Sequence, residues 1–206
     1  MKFDLHMHTT RHSPDSQMDP FDLVRRARDI GLDGVVITEH DWLWTEEEID
    51  ELRAIAGDLV VLAGVEVTTV EGHFLAYGVR DPFLISRGIG VAELCTEMHR
   101  QGGAVVAAHP FRWGQPFDEI LCDVQPALDG LEVMSNNMDV LCRHRARQIR
   151  EKYPLTPIGS SDAHEVEILG VCYTDFAATI RNSTDLVSAI RSGQATAYDR
   201  RESVLV

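Results

Sequence analysis

The chain has 206 residues, 44% of them hydrophobic and 25% charged, a balance that buries one substantial core and excludes a disordered or fibrous protein. No apolar run approaches membrane-spanning length, and Met1-Lys2-Phe3-Asp4-Leu5 enters a strand without the charged and apolar regions of a signal peptide, so a cytoplasmic protein with no membrane partner is expected. The formal net charge of -14 opposes a long nucleic-acid footprint, which needs a basic surface, but leaves a small phosphorylated substrate open, because divalent cations offset carboxylates gathered in a site.

The elements alternate along the chain. Lys2 to Leu5 is a short strand, and Asp19-Pro20 supplies an N-cap and first-turn proline for an amphipathic helix ending near Gly31. Gly34 to Thr38 is a strand, Thr45-Glu46-Glu47-Glu48 opens a helix with an acidic first turn, and Leu59 to Val67 is a strand rich in β-branched residues. A strand over Phe74 to Gly78, a helix over Val91 to Gln101 and a buried strand over Gly103 to Ala108 follow. Then come a strand at Leu131 to Met134, a basic helix at Val140 to Lys152 and a strand at Thr156 to Ser160. A strand near Val171 to Thr174, a helix opened by Ser183-Thr184-Asp185 and a closing strand near Ala195 to Tyr198 end the pass. No repeat, low-complexity stretch or linker divides the chain, so residues 1–206 read as one domain without an insertion domain. The four cysteines contain no Cys-x-x-Cys pair, which fits a reducing compartment and incidental thiols.

Six of the nine histidines and several carboxylates fall in six short phrases: His6-Met7-His8-Thr9, Glu39-His40-Asp41, Gly64-Val65-Glu66, His73, His109-Pro110 and Ser161-Asp162-Ala163-His164. Each phrase closes a β-rich run or lies just beyond one, where a parallel α/β fold gathers its active site. Histidine and carboxylate together suit borderline-hard divalent cations. In an extended strand residues two apart point the same way, so His6 and His8 can grip one cation, and Asp162 and His164 repeat that spacing. Alone, His-x-His could be two unrelated side chains on a solvent face, Asp162 a helix-capping turn residue, and His109 a core histidine satisfied by a carbonyl. Glu66 directly after Leu62-Ala63-Gly64-Val65 is costly at depth unless paired or metal-bound. The recurrence of all six phrases at strand ends favours one multinuclear site in a closed or distorted α/β barrel.

Taken in order, His-x-His-Thr, Ile-Thr-Glu-His-Asp, Gly-Val-Glu, Ala-His-Pro-Phe and Ser-Asp-Ala-His resemble the polymerase and histidinol phosphatase (PHP) family of metal-dependent phosphoesterases, over residues 4 to 164. The resemblance implies a distorted (β/α)7 barrel with two or three divalent metals, manganese, iron or zinc, at one mouth. It assigns His6, His8, Glu66 and Asp162 to one metal, with Glu66 bridging to a second held by His73 and His109. Asp15, His40 and His164 would hold the third. Family members place Asp or His in the loop after the first strand, and this chain offers both His12 and Asp15; Ser13-Pro14-Asp15-Ser16 matches the Asp type.

A cluster of divalent cations activates a water for in-line attack on phosphorus and neutralises the phosphate oxygens. No Gly-x-Ser-x-Gly elbow or phosphate-cradling glycine loop competes with that chemistry. Arginine docks phosphate best: Arg112, three residues after His109, is the first candidate and Arg11 the second, each against the alternative of a solvated surface residue. Asp41 could support His40 or carry a proton, and Asn136 could line the pocket or simply form a turn. His99 and His144 read as surface residues, and Trp42 and Trp44 as loop anchors or stacking platforms.

The expected substrate is a phosphate ester of a small metabolite or nucleotide. The basic helix keeps an exonuclease acting on short oligonucleotides in view, and a non-catalytic accessory module is the third reading. An amidohydrolase-type site would add a mid-barrel lysine, whereas the two lysines here are Lys2 and Lys152. The stretch between Glu66 and His109 leaves no room for a lid-like insertion, so an open mouth is expected. The oligomeric state stays open.

Overall fold

A computed structural model describes residues 1–124 and 127–202. Nine strands, β1 Lys2–Asp4, β2 Gly34–His40, β3 Val60–Thr68, β4 His73–Tyr77, β5 Ala104–Ala107, β6 Gly130–Ser135, β7 Thr156–Ser160, β8 Cys172–Phe176 and β9 Ala195–Asp199, form one sheet in the order β7-β6-β5-β4-β3-β2-β1-β8-β9. Around it lie α1 Pro20–Asp29, α2 Glu46–Ala56, α3 Val91–Gln101, α4 Phe117–Val124, α5 Val140–Lys152 and α6 Ser183–Ser192. Strands β1 to β7 follow one another in space as in sequence, parallel except that β4 runs against both β3 and β5.

The sheet nearly closes. Past its last ladder residue β1 meets the end of β7 at a parallel Met7–Ala163 bridge, where the His8 N–H donates to the Ala163 carbonyl at 2.9 Å. Lower down, the Thr174 hydroxyl of β8 bonds both the N–H and the carbonyl of Gly159 in β7, at 3.0 and 2.8 Å. That approach requires glycine, since a Cβ at position 159 would sit 2.5 Å from the Tyr173 carbonyl oxygen. This is the distorted (β/α)7 barrel expected from the sequence, with the β8–β9 hairpin added beside β1.

The helices begin where the sequence marks them. Asp19 accepts from the Phe21 and Asp22 N–H groups to cap α1, and Thr45 and Glu48 form a reciprocal capping box on α2. Helix α4 is an element the sequence analysis does not assign. Its buried residues Phe117, Ile120, Leu121 and Val124 carry the helical period, but only over eight positions.

Strand alternation builds both the core and the site. Inward residues Leu62, Leu75, Tyr77, Val106 and Ile158 fill the barrel with Phe3 and Leu5, and Leu186 and Ile190 of α6 close one end. Outward residues pack under the helices, Val35, Ile37 and Val61 on α1 and α2, and Val65, Phe74, Val105 and Leu131 on α3 to α5. Continued by period two toward the other end, the inward rows place Glu66 in β3, Glu132 in β6 and Ser160 in β7, all buried.

Asp4 ties this end together. Its buried carboxylate accepts the Ser161 N–H at 2.9 Å and the Gly170 N–H at 2.8 Å. Replacement by alanine strands two buried donors, an expected cost of about 3 kcal/mol. In a thermal melt that is a Tm loss of roughly 6–12 °C. Burial raises the Asp4 pKa to about 6, so between the ordinary carboxylate range and that value the folded chain retains a proton the unfolded chain has lost, and this contribution falls as pH rises through the window.

Candidate metal centre

The barrel end carrying Glu66 gathers the predicted ligands. His6 and His8 share a face as their spacing requires, with Nε2 atoms 3.1 Å apart, and each Nε2 lies 3.3 Å from Asp162 Oδ1. Glu66 reaches the surrounding histidines with both oxygens. Oε1 is 3.5 Å from His6 Nε2, 2.9 Å from His73 Nδ1 and 3.0 Å from His109 Nε2; Oε2 is 3.3 Å from His8 Nε2 and 2.7 Å from His40 Nδ1. Asp15 Oδ2 sits 3.2 Å from His40 Nε2 and 3.4 Å from His164 Nε2.

Among the described residues, three groups place ligand atoms within 4.8 Å of one another: His6, His8 and Asp162; His6, Glu66 and His109; and His8, His40 and His164. All nine residues expected as ligands therefore border one cluster. Of the two loop candidates, Asp15 faces His40 and His164, whereas His12 stacks on Trp42 and holds Glu48 at 2.9 Å.

Side chains behind the cluster set the histidine tautomers. His6 Nδ1 lies 2.9 Å from Glu132, a carboxylate that also accepts the His109 N–H at 2.6 Å and the Ser160 hydroxyl. His6 therefore carries a hydrogen on Nδ1 and turns Nε2 inward, where it holds either a proton or a cation. The Ser13 hydroxyl donates to Glu39, so it accepts from His8 Nδ1 at 3.3 Å, which again leaves Nε2 bare. Two ring nitrogens thus face each other beside two carboxylates, with room for one proton or one cation between them. Glu66 Oε2, although 2.7 Å from His40 Nδ1, receives no aligned hydrogen bond. Lone pairs converging from imidazole and carboxylate are what a divalent cation needs, so these residues fit the implied metals.

The charge balance agrees. Burial works against a charged His6, but Asp162, Glu66 and Glu132 outweigh it and hold its pKa well above the ordinary value. His40 overcomes the same cost through Glu66 and Asp15 and rises to about 9. Burial would raise Glu66 and Asp162, yet His6 and the other histidines pull both below the carboxylate range. This pocket demands positive charge.

The cluster opens into a cavity of about 560 Å³ whose rim includes Arg87, Arg112 and Trp113. Arg112 lies where a phosphate-docking residue is expected, its Nη1 3.4 Å from Asp162 Oδ2 and its guanidinium 4.1 Å from the Trp113 ring. Arg11 does not. It pairs with Glu51 at 2.9 Å on the outer face of α2, because the loop after β1 turns it away from the mouth. Asn136 is corrected likewise, as its side-chain oxygen accepts from Arg201 at 2.8 Å. Its neighbour Asn137 reaches the cluster, donating to Asp162 Oδ2 at 2.7 Å and to the Asp162 carbonyl at 3.2 Å. Asp41 is tied into the wall instead, its carboxylate accepting the Thr68 N–H at 2.7 Å and pairing with Arg87 at 3.2 Å.

Besides Asn137 and Ser13, three contributors carried no assigned role in the sequence. Glu132 was legible by the test that found Glu66, a carboxylate inside the buried run Leu131-Glu132-Val133. Glu39 binds the Thr9 N–H, the Ser13 hydroxyl and Trp44 Nε1, which makes Trp44 a loop anchor. Arg87 had no signal. It comes from the segment between β4 and α3, which holds only a short 3-10 turn at Pro82–Leu84 and leaves the mouth open. In α5, Arg143 bonds Asp199 and Arg145 bonds Asp118, so much of the basic face serves intrachain pairs.

The model of the PHP domain family matches residues 4–151. The chain belongs to that family. A PHP-associated model matches residues 143–195, from within α5 to the first residue of β9. An uncharacterized protein of Methanocaldococcus jannaschii is 30% identical over 146 residues, which are 66% of this PHP chain and 82% of that protein. A two-domain protein of Bacteroides vulgatus containing a predicted PHP-like metal-dependent phosphoesterase superposes with a TM-score of 0.77 at 23% identity, covering 97% of this chain and 64% of that one. This chain thus spans less than two thirds of that protein. The lesion-specific endonuclease of Pyrococcus furiosus shares the fold at a TM-score of 0.66 and 16% identity, over 95% of this chain and 57% of the endonuclease. No helix among the described residues is long and apolar enough to cross a membrane.

Proposed function

We propose that this PHP domain is a hydrolase that cleaves a phosphate ester of a small metabolite or nucleotide at a trinuclear metal site, acting as one domain. The observation that carries the reading is the convergence of the His6 and His8 Nε2 atoms on Asp162 and Glu66, with Glu66 Oε2 left without a hydrogen bond. His6, His8 and Asp162 would hold one cation, His73 and His109 a second, with Glu66 shared between the two, and Asp15, His40 and His164 would hold a third. Bound divalent cations supply an activated water and neutralise the phosphate.

The chain's own groups do the rest. Arg112 docks a non-bridging phosphate oxygen with a guanidinium already oriented by Asp162 and Trp113. Arg87, held by Asp41, faces the same cavity from the segment between β4 and α3. Glu132 and Ser13 fix the tautomers that turn His6 and His8 inward. A screen of manganese-loaded protein on nucleotides, short oligonucleotides, histidinol phosphate and sugar phosphates tests the substrate class. Turnover of small phosphate esters, monoester or diester, or of nucleotides supports the reading, and turnover confined to oligonucleotides replaces it with the exonuclease alternative.

Asn137 gives a narrower test. By occupying Asp162 Oδ2 it leaves Oδ1 to face His6 and His8. Asn137→Ala is expected to weaken manganese affinity about 10–100-fold, the usual effect of losing a group that orients a ligand. Titration calorimetry reads this directly, and an unchanged affinity removes Asn137 from the site.

A further inference from the structure

The exposed tryptophan at the mouth is out of keeping with the rigid turn that carries it. Residues 109–114 include four positive φ values, at His109, Phe111, Trp113 and Gly114. Non-glycine residues hold that conformation only where surroundings enforce it. The enforcement is visible: Phe111 is buried edge-on against Phe117 at 5.5 Å beneath the Arg145 guanidinium, and Gln115 donates to the Glu71 carbonyl at 2.9 Å. Yet Trp113 is 76% exposed, its ring edge-on to His73 and His109 at 5.9 Å from each. A large apolar ring is thus fixed in solvent beside two residues of the metal cluster.

The indole also separates two cavities. The 560 Å³ cavity over the cluster and a neighbouring one of about 310 Å³ share Thr68, His73, His109, Arg112 and Trp113 as a common wall. The second cavity differs in chemistry. Beyond that wall it is lined by Thr69, Val70, Glu71, Gly72, Gln115 and Pro116, with no further basic side chain to pair a second anion. It suits an uncharged group, and Trp113, with the Arg112 guanidinium over one ring face at 4.1 Å, keeps its other π face open.

We propose that the second cavity binds one organic group of a phosphodiester, a planar uncharged ring lying on the Trp113 indole, while the phosphate sits at the shared wall and the other ester group occupies the larger cavity. This rests on the phosphoesterase reading and names its substrate class. In the step, water oxygen forms a new bond to phosphorus and gives up a proton. The bond from phosphorus to one ester oxygen breaks, that oxygen leaves with the bonding pair and takes a proton from solvent, and the products are a phosphomonoester and an alcohol. A monoester needs one cavity; a diester uses both.

The test compares kcat/KM of manganese-loaded wild type, Trp113→Ala and Trp113→Phe on bis(p-nitrophenyl) phosphate and on p-nitrophenyl phosphate, with metal content and circular dichroism checked for each protein. Wild type is expected to favour the diester. Trp113→Ala should lower the diester-to-monoester ratio about tenfold or more, mainly through KM, which is the scale of one aromatic stacking contact, and Trp113→Phe should keep most of it. A wild type that turns over only the monoester overturns the proposal, as does an alanine variant that leaves the ratio unchanged or a phenylalanine variant that loses as much as alanine. Inactivity of wild type on both substrates instead counts against the phosphoesterase reading on which the proposal stands.

Discussion

Glu66→Ala is expected to strip the protein of all but one of its metal ions and to lower kcat/KM on the order of 10³-fold. No other carboxylate touches so much of the site: its oxygens lie within 3.5 Å of His6, His8, His40, His73 and His109. Its place follows from the chain itself. Inward alternation along β3 passes Leu62 and Gly64 before reaching Glu66, so the side chain is delivered to the barrel axis at the mouth. Elemental analysis of the variant beside its specific activity reads both effects, and circular dichroism separates them from misfolding. Full metal content in Glu66→Ala would remove the bridging role.

The second large effect is on stability. Chelating the metals is expected to lower Tm by about 5–10 °C, and adding manganese at a hundredfold excess over its Kd to restore it. Binding confined to the native state contributes about 2.7 kcal/mol at that excess, and a chain of this size shifts roughly 2–4 °C per kcal/mol. The residues make the effect large, because the buried His6, His8, Glu66 and Asp162 come from three strand ends and a divalent cation joins them more fully than the proton it replaces. Calorimetric melts with and without chelator check it, and coincident transitions would mean that the cluster binds no metal of consequence.

What was legible in the sequence follows the same physics. His-x-His is visible because period two in an extended segment is rigid, and His6 and His8 come together as that period requires; Asp162 lies past the end of β7 with a positive φ and groups with His6 and His8, while His164 groups with His8 and His40. Glu132 shows the limit of reading by phrase: it obeys the rule that exposed Glu66, yet no histidine beside it drew attention. Loop residues were harder. Asn136 and Asn137 are neighbours in a turn, and only the backbone path decides that Asn137 reaches Asp162 while Asn136 meets Arg201. Arg11 and Arg87 exchange places for the same reason, since long side chains on loops follow their nearest carboxylates, Glu51 and Asp41. Helix α4 was missed because eight residues carry too few turns for a clear period.

The central claim is that this PHP domain needs metal to cleave phosphate esters. Its most direct test is the rate of p-nitrophenolate release from p-nitrophenyl phosphate by chelator-stripped protein as manganese is added back. The account predicts negligible release at first, rising to a plateau once two or three metal ions per chain are bound. A rate that stays at background with manganese, iron and zinc alike, with none of them retained by the protein, would contradict it.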